Sequence, residues 1–283
     1  MPVPTFRFAP SPNGALHLGH ACSALFTARM ARQHKGRFLV RIEDIDHVRC
    51  KPELAAAALE DLRWLGLNWL EPVRYQSRHM HEYIAMIDRL EHLKLLYPCF
   101  CTRSRLAQTS GPRDPDGAFV YPGFCRLLTQ GDRNRKMAAG QPYALRLDMA
   151  RAVLAAGPDL TFSEAGTGPE GQTGIVRCAP QVWGDVVLAR KDIATSYHVS
   201  VVHDDALQGI THVTRGTDLF HATSIHRVLQ SILNLPVPHY IHHSLIPDDS
   251  GRKLSKSAND RSLASLREEG ITPQLIKAQL GFI

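Results

Sequence analysis

The segment Pro10–His20, P-S-P-N-G-A-L-H-L-G-H, decides how we interpret the fold. It follows a short strand predicted at Phe6–Ala9 and precedes a helix predicted to run through Ala21–Arg32. Proline ends the strand, and glycine lets the backbone approach a ligand closely. Backbone N–H groups and the helix dipole attract anions at a helix start. This strand–turn–helix connection therefore predicts a phosphate site.

Two histidines in this segment strengthen the prediction. His17 and His20 are three residues apart, so they lie on one face of the first helical turn. Both rings can donate hydrogen bonds to phosphate oxygens. The same residues are also compatible with an ordinary connection that carries two surface histidines.

The chain around this segment alternates between strands and helices. Phe38–Ile42 is typical of an apolar strand buried on both faces, and apolar residues recur at helical spacing in residues 54–65 and 80–90. The elements predicted after residue 180 are the strands Val186–Ala189, Thr211–Thr214 and Tyr240–Ile246, the helix Leu219–Leu233, and two short helices split at Pro273. Alternation of this kind predicts an α/β fold with a parallel sheet.

The middle of the chain has a different character. Pro98–Gly131 is rich in Gly, Pro, Cys and Arg and has no long hydrophobic period, which predicts a small inserted module. We expect a loop at Leu160–Gly174. Its G-x-G-x-x-G spacing at residues 166–171 lacks a strand-to-helix context and contains a proline, so we do not assign it to a dinucleotide.

Cysteine usage indicates a possible metal site in this module. Three thiols, Cys99, Cys101 and Cys125, lie close in sequence, and structural zinc takes four ligands. Tyr121 is the nearby candidate for the fourth ligand, because no histidine lies between Cys101 and Cys125. Unliganded cysteines in a loop are the alternative.

Composition sets the class of protein. The 283 residues carry a formal net charge of +6, which gives weak support for a partner that contains phosphates. No apolar run is long enough to cross a bilayer, and the N-terminus lacks a secretory signal. We therefore predict a cytoplasmic protein with no membrane partner and with reduced cysteines.

A basic segment near the other end of the chain makes the assignment specific. Arg252–Ser257, R-K-L-S-K-S, taken alone is compatible with a solvated loop. Together with His17–His20, however, it is similar to the paired HIGH and KMSKS signatures of class I aminoacyl-tRNA synthetases. This resemblance implies a Rossmann-like HUP nucleotide-binding core in which Mg²⁺ accompanies ATP. It implies catalytic roles for His17, His20, Lys253 and Lys256, and ATP binding by Gly14, His17, Gly19, His20 and Lys256.

Further segments resemble the glutamyl branch of that family. They are R-F-A-P-S at residues 7–11, R-I-E-D at residues 41–44, and residues 204–219. The resemblance implies that Arg7 and Arg215, with the Tyr197 hydroxyl, bind the side-chain carboxylate of L-glutamate. It implies that Glu43 binds the α-ammonium group, and that Ala9 and Ser11 contact the amino acid. Without the resemblance, a surface arginine, a solvated acidic turn and a core tyrosine would be the simpler interpretations.

The acceptor follows from a narrower resemblance. The C-x-C…Y-x3-C pattern is similar to that of the glutamyl-Q tRNA(Asp) synthetase family, which implies Zn²⁺ on Cys99, Cys101, Tyr121 and Cys125. That family activates glutamate without tRNA and transfers it to queuosine in the anticodon loop of tRNA(Asp). Because few residues follow Ser257, we expect a short helical stem and no anticodon-binding domain.

The sequence is also compatible with three other functions. They are a truncated glutamyl-tRNA synthetase that charges tRNA(Glu), a non-catalytic synthetase-like binding module, and a nucleotidyltransferase that makes a small molecule. The expected organisation is the first half of the core at residues 1–97, the zinc module at 98–131, the second half of the core at 132–246, and the KMSKS-type loop with the stem at 247–283.

Overall fold

A computed structural model describes residues 3–246 and 261–283 of the chain. The strands in these ranges are β1 (Thr5–Phe8), β2 (Arg37–Ile42), β3 (Leu70–Tyr75), β4 (Leu96–Cys99), β5 (Ala144–Leu147), β6 (Thr161–Glu164), β7 (Gly174–Arg177), β8 (Val187–Ala189), β9 (His212–Gly216) and β10 (His239–His243). The helices are α1 (Leu18–Gln33), α2 (Pro52–Trp64), α3 (Met80–His92), α4 (Arg103–Ala107), α5 (Gln130–Ala138), α6 (Met149–Ala156), α7 (Tyr197–Leu207), α8 (Thr223–Ile232), α9 (Leu263–Glu268) and α10 (Pro273–Gln279).

Seven strands form the main sheet, in the order β3-β2-β1-β9-β10-β6-β7. Its pairings are parallel, except that β6 and β7 run antiparallel. The sheet confirms the predicted Rossmann-like α/β fold. The chain passes from β1 to β2 on one side, and β9 occupies the other side of β1. In open parallel sheets, ligands bind at the carboxyl ends of the strands beside such a switch in strand order.

The two faces of β1 and β2 differ in chemistry. Phe6 and Phe8 belong to a core cluster that also contains apolar residues of α1, α2 and α9. Side chains alternate across a strand, so Arg7 and Arg41 point to the opposite face, where α7 supplies their partners. The strand Phe38–Ile42 is largely buried, but its Arg41 side chain makes its second face charged rather than apolar.

A second, three-stranded antiparallel sheet has the order β4-β5-β8. The predicted zinc module leaves this sheet after β4, and the chain returns to it at β5. Cys99, Cys101, Tyr121 and Cys125 are all buried in one small cluster within the module. The domain boundaries themselves stay a prediction.

One sequence expectation needs correction, and the third strand of the sheet had no prediction. Leu160–Gly174 is not all loop, because Thr161–Glu164 forms β6. The strand has only four residues, and the glycines that follow obscured the alternation that buries Phe162 and Glu164. The strand Leu70–Tyr75 was not predicted; it lies at the sheet edge, contains Pro72 and has no hydrophobic alternation.

The end of the chain agrees with expectation, since α9 and α10 are separate helices and α10 starts at Pro273. No helix in the described ranges combines the length and the hydropathy that a bilayer crossing needs.

Candidate active site

A cavity of about 890 Å³ opens at the carboxyl ends of β1, β9 and β10. Its volume lies within the range of about 300–1,000 Å³ that is usual for small-molecule sites. The predicted site residues that line it are Arg7, Ala9, Ser11, His17, Gly19, His20, Glu43, Tyr197 and Arg215. Gly14 is not among the lining residues. The sheet topology therefore brings both predicted halves of the site, the phosphate turn and the amino-acid residues, into one cleft.

The two histidines of the phosphate turn cap helix α1. His17 is the N-cap residue, and its Nδ1 accepts a hydrogen bond from the backbone N–H of Gly19 at 3.1 Å. His20 Nδ1 accepts from the backbone N–H of His17 at 3.2 Å. In a neutral ring the proton then lies on Nε2, so in both residues that nitrogen is a donor. The arrangement fixes two ring donors at a helix N-terminus that lines the cavity.

The end of the described chain returns to the same turn. Leu263 N–H donates to the carbonyl of Leu16 at 2.8 Å, and Ser262 forms a bridge with His17. At the other end of the gap, Ile246 lines the cavity. Lys253 and Lys256 lie between these two anchors in sequence and outside the described residues.

Arg7 is buried and already paired. Its Nε and Nη2 donate to the two carboxylate oxygens of Asp205 at 3.0 and 3.3 Å, and Nη1 donates to the carbonyl of Thr214 at 3.2 Å. Asp205 also accepts from Arg41 Nη1 at 2.9 Å. Burial by itself raises the pKa of Asp205, but the two guanidinium groups outweigh it and hold that pKa below its usual value. Asp205 therefore neutralises much of the charge of Arg7.

Glu43 presents a carboxylate to the cavity. Its Oε1 accepts from Arg41 Nη2 at 3.1 Å, and no donor among the described residues contacts Oε2. Burial raises the pKa of Glu43, although Arg41 and Arg7 act in the opposite direction. An arriving cation that contacts Oε2 would favour the ionised form. Glu43 is thus placed to bind an ammonium group.

Arg215 is buried with neutral partners. Its Nε donates to His242 Nε2 at 3.0 Å, Nη1 to His226 Nδ1 at 3.2 Å, and Nη2 to Thr223 Oγ1 at 2.5 Å. Only 5% of Arg215 is exposed, and it has no ion-pair partner among the described residues. A buried cation without an anion is costly. The cavity therefore contains a positive charge that suits an anionic ligand group.

Sequence reasoning missed Asp205, the partner of Arg7, and the pair Glu164–His242, in which His242 contacts Arg215. Asp205 was noted only as part of a resembling segment, and Glu164 and His242 were given no role. Glu164 Oε2 accepts from His242 Nδ1 at 2.5 Å, although the two residues are 78 positions apart. The sequence offered one weak indication of this contact, which was the presence of a histidine within the predicted strand Tyr240–Ile246.

The cysteine cluster has the dimensions of a metal site. The sulfurs of Cys99, Cys101 and Cys125 all lie within 4.8 Å of one another, and the Cys101–Cys125 separation is 3.6 Å. Tyr121 Oη lies 3.6 Å from Cys101 Sγ. Tetrahedral zinc with bonds of about 2.3 Å to sulfur requires sulfur–sulfur separations of about 3.8 Å. The three thiols and the phenol therefore fit one zinc ion.

Comparison with known proteins identifies the family. Residues 3–281 match the family described as tRNA synthetases class I (E and Q), catalytic domain. The chain belongs to this family. Its activity class is therefore that of a ligase, as the sequence signatures predicted, and ATP with Mg²⁺ is the general requirement of class I synthetases.

The individual relatives are named either glutamyl-Q tRNA(Asp) synthetase or glutamate–tRNA ligase. The chain is 48% identical to a glutamyl-Q tRNA(Asp) synthetase of Rhodobacter capsulatus, over 97% of this chain and 99% of the relative. It is 40% identical to glutamate–tRNA ligase 2 of Nitrosococcus oceani, over 95% of this chain but 57% of that protein. A crystal structure of a glutamate tRNA ligase from Elizabethkingia meningosepticum, in complex with its amino acid, matches with a TM-score of 0.76 and 25% identity, over 99% of this chain and 60% of that one.

Proposed function

We propose that this protein uses ATP to activate L-glutamate and then transfers the glutamyl group to queuosine in tRNA(Asp). In the first step, a carboxylate oxygen of the substrate's α-carboxyl group attacks the α-phosphorus of ATP, and the bond to the leaving pyrophosphate breaks. In the second step, a queuosine hydroxyl attacks the carbonyl carbon of the adenylate, the bond from that carbon to the phosphate oxygen breaks, and AMP leaves while the hydroxyl proton is released to solvent. The nucleophile of the first step is ionised at neutral pH, so that step needs positioning and charge stabilisation rather than a general base.

One observation carries the assignment of glutamate: the buried Arg215 lines the cavity, and its partners among the described residues are all neutral. A guanidinium group has five N–H donors, and three of them have partners among the described residues, so two N–H groups have none there. A carboxylate has two oxygens that can accept them. We therefore assign the side-chain carboxylate of glutamate to Arg215. Arg7, whose charge Asp205 largely neutralises, is assigned to the cavity wall beside this carboxylate.

The opposite charge of the substrate has a matching partner. Glu43 has one carboxylate oxygen without a donor among the described residues, and it lines the same cavity as Arg215. We assign the α-ammonium group to this oxygen. Tyr197, Ala9 and Ser11 line the cavity and would complete the contacts with the amino acid.

The nucleotide is assigned to the phosphate turn. The Nε2 donors of His17 and His20, with the N-terminus of α1, would bind phosphate oxygens of ATP. Lys253 and Lys256 would neutralise charge that develops on the leaving pyrophosphate. Loss of one such group typically lowers the rate about 10²–10³-fold. Zn²⁺ is assigned to the cysteine cluster with Tyr121, where it would hold the module together, and the cytoplasmic location stays a prediction.

The choice of tRNA(Asp) rests on the relatives' names, since the relative at 48% identity is named for glutamyl-Q tRNA(Asp). The physical logic is consistent, because RNA is read most easily where bases are unpaired, as in an anticodon loop.

Two assays test the function. Glutamate-dependent exchange between ATP and pyrophosphate, without tRNA, is the expected first result; no exchange with any amino acid would favour a non-catalytic binding module. Radiolabelled glutamate is then supplied with bulk tRNA from cells that contain or lack queuosine. Label only in the queuosine-containing tRNA supports the proposal, whereas label in tRNA(Glu) from both pools favours a truncated glutamyl-tRNA synthetase.

A further inference from the structure

Two buried residues form a chain of hydrogen bonds that ends at Nε of Arg215. Glu164 and His242 are 2% and 3% exposed. Glu164 Oε2 contacts His242 Nδ1 at 2.5 Å, and His242 Nε2 contacts Arg215 Nε at 3.0 Å. The chain therefore runs from carboxylate to imidazole to guanidinium.

The direction of these hydrogen bonds determines which ring nitrogen of His242 carries the proton. Arginine can only donate, so His242 Nε2 must be the acceptor and carry no proton. The ring proton is then on Nδ1, where Glu164 accepts it. Burial lowers the pKa of His242, and this outweighs the opposing effect of Glu164, so the ring is neutral at pH 7. His226 behaves in the same way, since its Nδ1 accepts from Arg215 and its Nε2 lies 3.2 Å from His198 Nδ1.

We propose that Glu164 and His242 are positioning residues that orient Arg215 and make the site select an amino acid with a side-chain carboxylate. The inference rests on the proposed function. A carboxylate can accept both remaining N–H groups of Arg215. The amide of glutamine offers one acceptor oxygen, and its NH₂ group would face a donor. Holding Arg215 by neutral acceptors keeps its full charge for the substrate, whereas a carboxylate in direct contact with it would neutralise that charge.

The two carboxylate oxygens of Glu164 make separate contacts, so a substitution can change the contact of one oxygen and keep those of the other. Oε1 accepts the backbone N–H groups of Gly166 at 2.8 Å and His242 at 2.9 Å, and so ties β6 to β10. Only Oε2 contacts the imidazole. In Glu164→Gln, the amide oxygen can keep both backbone contacts, and the NH₂ group replaces Oε2. This new donor forces the ring proton from Nδ1 to Nε2, where it opposes the N–H of Arg215.

The experiment is pyrophosphate exchange with wild type and E164Q, with glutamate, glutamine and ATP varied in turn. We expect the KM for glutamate to rise about 10- to 100-fold, as for an unmatched buried donor, while kcat and the KM for ATP change less than about twofold. The ratio of kcat/KM for glutamate over glutamine should fall. The matched control is Glu170→Gln, the same change at an exposed glutamate in the following loop, and it should behave as wild type.

The outcomes separate the two proposals. A wild-type enzyme without glutamate-dependent exchange overturns the proposed function, and the selection of glutamate with it. An active wild type with an unchanged KM for glutamate in E164Q overturns the positioning role alone. The positioning role is also overturned if kcat falls and the KM values for glutamate and ATP rise by similar factors, because that pattern indicates general damage to the protein.

A second measurement needs no variant. Long-range ¹H–¹⁵N spectra of the histidine rings in the unaltered protein report which nitrogen of His242 carries the proton. We expect protonated Nδ1 and unprotonated Nε2. A proton on Nε2 overturns the positioning role, even if E164Q fails to fold.

Discussion

Replacing Arg215 with methionine should strongly weaken the use of glutamate while leaving the protein folded. Methionine is an apolar chain that fills part of the same space and has no donor. The two N–H groups assigned to the substrate carboxylate are lost, and hydrogen bonds to charged groups contribute about 1.5–3 kcal/mol each. The expected loss of about 3–6 kcal/mol corresponds to a fall of about 10²–10⁴ in kcat/KM for glutamate.

The stability of the same variant should change little, because two effects oppose each other. Removing a buried cation that has no anionic partner among the described residues relieves a desolvation cost. Against this, the buried acceptors of His242, His226 and Thr223 each lose their donor, at about 1–3 kcal/mol per unpaired group. We expect the free energy of unfolding to change by less than about 2 kcal/mol.

Pyrophosphate exchange against glutamate concentration measures the first effect, and urea unfolding measures the second. Arg177→Met is the matched control, because Arg177 is 78% exposed and pairs with Asp159 at the surface. That variant should change neither quantity. The assignment of Arg215 is refuted if R215M keeps kcat/KM for glutamate within tenfold of wild type, or if its activity is lost only because the chain unfolds.

Three further predictions concern other parts of the molecule. Asp205→Asn should lower the free energy of unfolding by about 3–5 kcal/mol in urea, because it leaves two buried arginines without their shared anion; a loss below about 1 kcal/mol would contradict the pairing. Elemental analysis should find one zinc per chain, reduced in Cys101→Ser but not in Cys178→Ser, and folded, metal-free wild type would exclude the site. Stability should fall from about pH 6.5 to pH 4, because burial and two neighbouring histidines lower the pKa of His212 to about 4 in the folded state, so the unfolded chain binds more protons in that window. In His212→Gln the fall with pH should be shallower, and an unchanged slope would count against this assignment.

The sequence predicted the parts of the site that short segments encode. The turn from Pro10 to His20 has its strand, its glycine and its helix start within a few residues, so local rules were sufficient for it. The same holds for the thiol spacing of Cys99, Cys101 and Cys125. In each case the candidate ligand-binding groups are close in sequence, and their chemistry indicates the use that we propose for them.

The charge pairing could not be predicted, because the partners are far apart in sequence. Arg7 and Asp205 are 198 positions apart, and Arg41 and Asp205 are 164 apart. An arginine in a strand carries no information about which acidic residue it will meet. The sheet order, with β9 beside β1, and the position of α7 place Asp205 against Arg7, whereas no carboxylate in the described part of the chain reaches Arg215.

The buried residues Arg7 and Arg215 differ in their partners, and this difference determines where an anionic ligand group binds. Arg7 and Arg41 share Asp205, whereas Arg215 is held by two imidazoles and a hydroxyl. Burying Arg215 with no anionic partner among residues 3–246 and 261–283 costs free energy, and a ligand carboxylate that binds there returns part of that cost. Glu43 presents the opposite charge in the same cleft. A ligand must therefore carry an anion at one end and a cation at the other, and glutamate, with a side-chain carboxylate and an α-ammonium group, meets both conditions while its α-carboxylate remains available to attack ATP.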